Sequence, residues 1–252
     1  MRILKTIVVL AGALVAATAA LAKGERVLVT GANGQSGRPT VALLLKDGYK
    51  VRALVRDATK GADLGAGVEV AVGDVTKPET LGAALSGIDY VISTIGAGSS
   101  GYTAEQVEYQ GIANLVAAAK TANVKHFVLM SSLKAGSTDI NEFLNARRGM
   151  LLMWKGKGED SLRQSGMAYT VVRPGGLLPQ RDQPPCDAGK IGLKLAPFDG
   201  AGMGSVCRSD VAALMVASLG NKDAMGKTFS VVSDEAARPD AWKGALAGLA
   251  KD

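Results

Sequence analysis

One stretch constrains this chain more than any other: RVLVTGANGQSG, residues 26–37. Residues 27–29 form a short apolar run that reads as a buried strand. Gly31, Gly34 and Gly37 follow at G-x-x-G-x-x-G spacing, and residues 41–45 then give an apolar helix face. Strand, tight glycine turn and helix start together predict a phosphate cradle. Gly31 would permit the sharp turn, Gly34 would let the backbone approach a pyrophosphate, and Gly37 would let helix and strand pack closely. The helix N-terminus would add free N–H groups and a positive dipole end. Gly31, Asn33, Gly34, Gln35, Ser36 and Gly37 are therefore the expected pyrophosphate contacts. The chain has 32 glycines, so the triplet alone could be a structural turn. Its place at the head of a first βα unit favours nucleotide binding.

The 252 residues suffice for one domain whose core needs no disulfide staples. Apolar content of 47% and charged content of 21% fit a globular chain. The net charge of +6 admits an anionic partner. With no dense Lys/Arg run and only 4% aromatics, no nucleic-acid partner is expected. One His and two Cys leave no metal site. Residues 1–22 do not read as fold. Arg2 and Lys5 precede an apolar stretch, and Ala20-Leu21-Ala22 matches an A-x-A cleavage site. This segment reads as a signal peptide or membrane anchor, leaving residues 23–252 as the nucleotide-binding domain. The expected location is exported or N-terminally anchored, with membrane contact through this segment only. Export would permit a Cys186–Cys207 disulfide; two free buried thiols are the alternative.

Apolar runs at residues 50–56, 68–72, 90–94, 124–130, 168–173 and 227–232 alternate with helical patterns, including a long one at 102–122. The expected fold class is α/β, a Rossmann-like doubly wound parallel sheet with a small C-terminal region on the substrate side. Ligands of such sheets lie at the strands' carboxyl ends. There the second strand offers Arg56, with Asp57 one place later. A guanidinium suits a 2′-phosphate, which favours NADP(H) over NAD(H); Arg38 could add to the same charge. Asp74 and Val75, after the third strand, would meet the adenine, although Asp74 could equally cap the helix entry that follows. Thr94, Ile95 and Gly96, after the fourth, would border the inner ribose. Ser131 and Ser132 close the fifth strand facing the crevice, and His126 reads as structural. Residues 174–204 read as a cover loop, Ser209-Asp210 as a helix N-cap, and residues 239–252 as a short helix docked through Trp242, Leu246 and Leu249.

With these residues in hand, the chain resembles an atypical short-chain dehydrogenase/reductase of the NAD(P)H-binding, NmrA-like group. The likeness rests on residues 30–37, 51–57, 73–75, Glu108-Tyr109-Gln110-Gly111 with Asn114, residues 124–132 and 169–176, and Arg208-Ser209-Asp210-Val211-Ala212. It implies the fold above and a nicotinamide cofactor. It also exposes a gap. Typical members use Tyr-x-x-x-Lys, the Lys holding the nicotinamide ribose and the Tyr passing a proton. Here Lys155 takes the lysine position and Leu151 stands where the tyrosine would be; Lys157 is preceded by Met153 and does no better. Ordinary carbonyl reduction would then need Ser131, Ser132 or Tyr102 as a substitute. Lys155 and Ser131 are the candidate catalytic residues. Hydride transfer to a flat acceptor such as a quinone or flavin needs stacked rings more than a side-chain acid, so an NAD(P)H-dependent oxidoreductase with a small-molecule electron acceptor is the favoured expectation. The rival is a non-catalytic redox-sensor or assembly protein with a protein partner. A sugar-nucleotide epimerase or dehydratase is disfavoured by the missing Tyr.

Overall fold

The computed structural model describes residues 24–98, 101–178, 186 and 189–252; the signal or anchor segment lies outside them. The chain opens with β1 (Arg26–Thr30), α1 (Gly37–Lys46), β2 (Lys50–Val55), β3 (Val68–Val72), α2 (Leu81–Leu85) and β4 (Tyr90–Ser93). A π-helical stretch, Glu105–Gly111, runs directly into α3 (Ile112–Thr121), followed by β5 (His126–Met130), α4 (Phe143–Arg147) and α5 (Leu151–Arg163). The last third holds β6 (Tyr169–Pro174), β7 (Gly176–Leu178), β8 (Gly192–Pro197), β9 (Ser205–Cys207), α6 (Arg208–Ser218), β10 (Lys227–Asp234) and α7 (Trp242–Gly248).

The main sheet has the order β3-β2-β1-β4-β5-β6-β10-β8. Its first seven strands are mutually parallel, and β8 closes the edge antiparallel to β10. The alternation along each strand explains the two layers of helices. Val27 and Val29 of β1 pack with Val41 and Leu44 of α1, with Val211, Leu214 and Met215 of α6, and with Trp242 and Leu246 of α7. Leu28, pointing the other way, joins Leu81 and Leu85 of α2, Ile112 and Leu115 of α3 and Leu162 of α5. The sheet is thus doubly wound, and the strand order reverses at β1 and β4, where both carboxyl ends meet.

Two features depart from the sequence expectation, and one open alternative is decided. The cover loop contains β7 and β8, and β7 pairs in parallel with β9 just beyond the loop. Helix α6 begins at Arg208 with Cys207 as its N-cap. Asp210 instead sits buried inside the first turn and accepts a hydrogen bond from the Gly189 N–H at 2.8 Å; burial pushes its carboxyl up. Cys186 and Cys207 are joined as a disulfide. Among the described residues, no helix is long and apolar enough to cross a membrane, and none of their His, Cys, Asp and Glu side chains form a metal-binding group.

Candidate functional site

The glycine turn has the geometry its sequence implies. Gly31 adopts φ +73°, and a Cβ there would lie 2.9 Å from Thr94 atoms. A Cβ on Gly37 would fall 2.1 Å from the Gly31 carbonyl and 2.7 Å from Ala32. Only glycine lets α1 approach β1 so closely. A Cβ on Gly34 would meet only the Gly31 carbonyl, at 3.1 Å, so the exposed flank of the turn is bare backbone. Ser36 makes no side-chain capping bond, and the first turn of α1 carries no acid. That leaves the positive helix end open to an anion. Thr94 holds the turn from the neighbouring strand: its N–H and hydroxyl both donate to the Thr30 carbonyl, at 3.0 and 2.9 Å.

This turn opens onto a crevice of about 240 Å3 at the carboxyl ends of the first four strands. Gly31, Asn33 and Gly34 line it from the turn, Arg56 from the end of β2, Asp74 and Val75 from the end of β3, and Thr94, Ile95 and Gly96 from the end of β4. Nine of the twelve residues expected to contact cofactor therefore converge on one cavity. Gln35, Ser36 and Gly37 belong to the same turn but lie outside the lining: Gln35 is exposed, whereas Ser36 and Gly37 are buried. Thr30, Leu54, Val55, Gly73, Tyr102 and Val107 complete the crevice.

The polar groups around Arg56 are arranged unequally. Asp57, the nearer acid in sequence, turns its carboxylate to the N–H and hydroxyl of Thr59, each 2.9 Å away. The Thr59 bonds hold it below the usual carboxylate range. Arg56 lies over the Tyr102 ring, 5.8 Å from its centroid. Asp74 accepts from Thr76 with one oxygen and from the Tyr102 hydroxyl, at 2.9 Å, with the other. Burial pushes the Asp74 carboxyl up, but the Thr76 and Tyr102 hydrogen bonds and the Arg56 charge outweigh it, leaving the group lowered. Asp74 is thus a turn cap and a crevice wall at once. Arg38 braces the turn by donating to the carbonyls of Asn33 and Asp63.

The expected catalytic pair does not line this cavity. Lys155 is paired with Glu108 at 2.7 Å, and the other Glu108 oxygen accepts the Ala97 N–H at 2.8 Å. Both side chains are largely buried, so Lys155 reaches the turn after β4 only through a carboxylate. The Ser131 hydroxyl, at the end of β5, is buried without a hydrogen-bond partner among the described residues. Leu151 is buried and apolar. Tyr102 does not replace the missing tyrosine, because its hydroxyl is committed to Asp74, just past the end of β3. Sequence reasoning missed Tyr102 as a crevice wall and Glu108 as the link to Lys155; only the E-Y-Q-G segment hinted at the latter. His126 is structural: fully buried, its rings nitrogens bonded to Thr170 and the Gly220 N–H. Burial pushes its pKa down to about 4.

The chain is similar to known proteins. The chloroplastic protein Tic62 of Pisum sativum is 36% identical over 78% of the chain, which spans only 40% of that longer protein. Sanguinarine reductase of Eschscholzia californica is 31% identical over 82% of the chain and 88% of its own length. A solved structure from Bacillus halodurans, ascribed to an NAD-dependent epimerase/dehydratase, superposes with a TM-score of 0.74 at 26% identity, covering 88% of the chain and 100% of its own. The family model for NAD(P)H-binding proteins matches residues 31–222. That match starts at the first glycine of the turn and runs past α6, and the chain accordingly belongs to the NAD(P)H-binding family.

Proposed function

We propose that the protein is an NADP(H)-dependent reductase that passes hydride to a flat, electron-accepting small molecule such as a quinone or flavin. The observation that carries the cofactor reading is the division of labour at the end of β2. Arg56 lines the crevice, while the neighbouring acid is engaged by Thr59. An acid holding the ribose hydroxyls would favour NAD(H); a guanidinium beside the crevice favours a 2′-phosphate. The residues fit the cofactor: the bare backbone of the turn and the open end of α1 would hold the pyrophosphate, Asp74 and Val75 the adenine, and residues 94–96 the inner ribose.

When bound, the nicotinamide supplies the hydride. The chain's own contribution is positioning. Thr94 fixes the glycine turn, and the Lys155–Glu108 pair fixes Ala97 at the inner end of the crevice. Lys155 is proposed as a positioning residue; the buried Ser131 hydroxyl does not line the crevice and takes no part in this reading. Leu151 offers no proton, so solvent completes the reduction, as it can for a quinone. The likeness to a named reductase supports this reading. The missing tyrosine favours the second reading, a non-catalytic nucleotide-binding partner of another protein. The Cys186–Cys207 disulfide suits an oxidising compartment, in line with export or anchoring through residues 1–22.

The test is NADPH oxidation by the purified protein with a quinone and with a flavin. Turnover with either supports the reductase. Saturable NADPH binding without turnover on any acceptor overturns it in favour of the partner reading.

A further inference from the structure

Beside the cofactor crevice lies a second, wider groove of about 950 Å3. The two share Tyr102, and the groove takes up the chain at Ala97, where the crevice lining stops at Gly96. Its lining includes Arg147, Arg148 and Trp154. Arg147 rests over the exposed Phe143 ring at 4.9 Å. No ion pair among the described residues involves either arginine. Lys157, outside the lining, lies 4.8 Å over the Trp154 ring. Glu105 is the one carboxylate in the lining.

The backbone that carries the arginines is fixed. Asn145 is buried at 1% exposure, and its amide donates to the carbonyls of Ser137 and Asp139. Its side-chain oxygen accepts the Leu152 N–H, and its main-chain oxygen the Met150 N–H. Gly149 and Met150 both adopt left-handed conformations, φ +58° and +60°. For Met150, which has a Cβ, that conformation is unfavourable, and the Asn145 cage holds it. Trp154 is steadied in turn by its stack on Tyr109, centroids 6.0 Å apart and planes 13° apart. The groove therefore combines a held aromatic ring with two exposed guanidiniums, groups suited to a flat ring and to an acidic oxyanion.

We propose that this groove binds the acidic end of the electron acceptor, a flat aromatic ring bearing a carboxylate, sulfonate or phosphate. The inference rests on the reductase reading and names its substrate class. In the reaction a hydride, two electrons with one proton, leaves the reduced nicotinamide for the ring. A solvent proton completes the reduced acceptor, and the oxidised nicotinamide remains. The acidic group stays unchanged throughout, held by Arg147 and Arg148.

Naphthoquinone and its monosulfonate share a ring and differ in charge. The readout is the ratio of their KM values, sulfonate over neutral, in the wild-type full chain and in Arg147→Gln/Arg148→Gln. The account expects that ratio to rise about tenfold or more, the scale of a lost charged hydrogen bond. An unchanged ratio overturns it, whether or not both KM values move together. A second measurement needs no turnover: quenching of Trp fluorescence by the monosulfonate. Saturable quenching that Trp154→Phe removes and the double arginine variant weakens about tenfold supports the groove; quenching that neither change alters, or none at all, refutes it. If neither quinone oxidises NADPH, the reductase reading falls, and the quenching result decides the groove separately.

Discussion

At the residue scale, the account turns on Arg56. Its side chain lies at the crevice while Asp57 is held by Thr59. Arg56→Ala should weaken NADPH binding by about 1.5–3 kcal/mol, the size of a charge-assisted hydrogen bond, and leave NADH nearly unaffected. Calorimetric titration with both nucleotides checks this, and equal losses would remove the 2′-phosphate assignment. Arg56 was legible in sequence because it ends an alternating strand. The commitment of Asp57 to Thr59 was not, since a one-residue side-chain turn has no periodic signature. His126 yields a prediction about pH. Its folded pKa is depressed to about 4 from 6.5 by burial. The unfolded chain therefore binds the proton first, and stability contributed by the neutral ring is lost as pH falls from about 6.5 through about 4. The full effect approaches about 3 kcal/mol. Denaturant midpoints across that range should fall more steeply in wild type than in His126→Asn; parallel curves would mean that the folded ring already carries the proton.

At the scale of elements, β1, its turn and α1 were readable almost to the residue. Their glycines are required by contacts that any side chain would violate. Gly37→Ala puts a methyl 2.1 Å from the Gly31 carbonyl, so strand and helix must separate. We expect lower thermal stability together with loss of NADPH binding. Unaltered melting and unaltered binding would show that the contact is easily relaxed. The lower half of the crevice wall was less legible. The helical pattern at residues 102–122 gave a helix but not the π-helical stretch that carries Glu108, because side-chain periodicity over two turns cannot separate the two windings. The β8 strand escaped notice for a different reason. Prolines and glycines flank it, and its short L-K-L alternation was read with the loop around it.

At the scale of the whole molecule, the parallel sheet with helices on both faces followed from the alternation of strands and helices along the chain, whereas the order of its strands came only from the structure. The β7–β9 pair did not follow, since it forms through contacts distant in sequence. The Cys186–Cys207 bridge closes a loop of 21 residues. Such a loop restricts the unfolded chain by about 3 kcal/mol in the chain-entropy model. Reduction should lower the melting temperature by several degrees, and Cys186→Ser/Cys207→Ser should abolish that response; an equal response in the variant would place the effect of the reductant elsewhere. The most direct test of the central claim is an equilibrium titration of the purified full chain with NADPH and NADH. The account predicts saturable binding of both, tighter for NADPH. Failure of both nucleotides to bind would reduce the glycine turn to a structural corner and contradict the account.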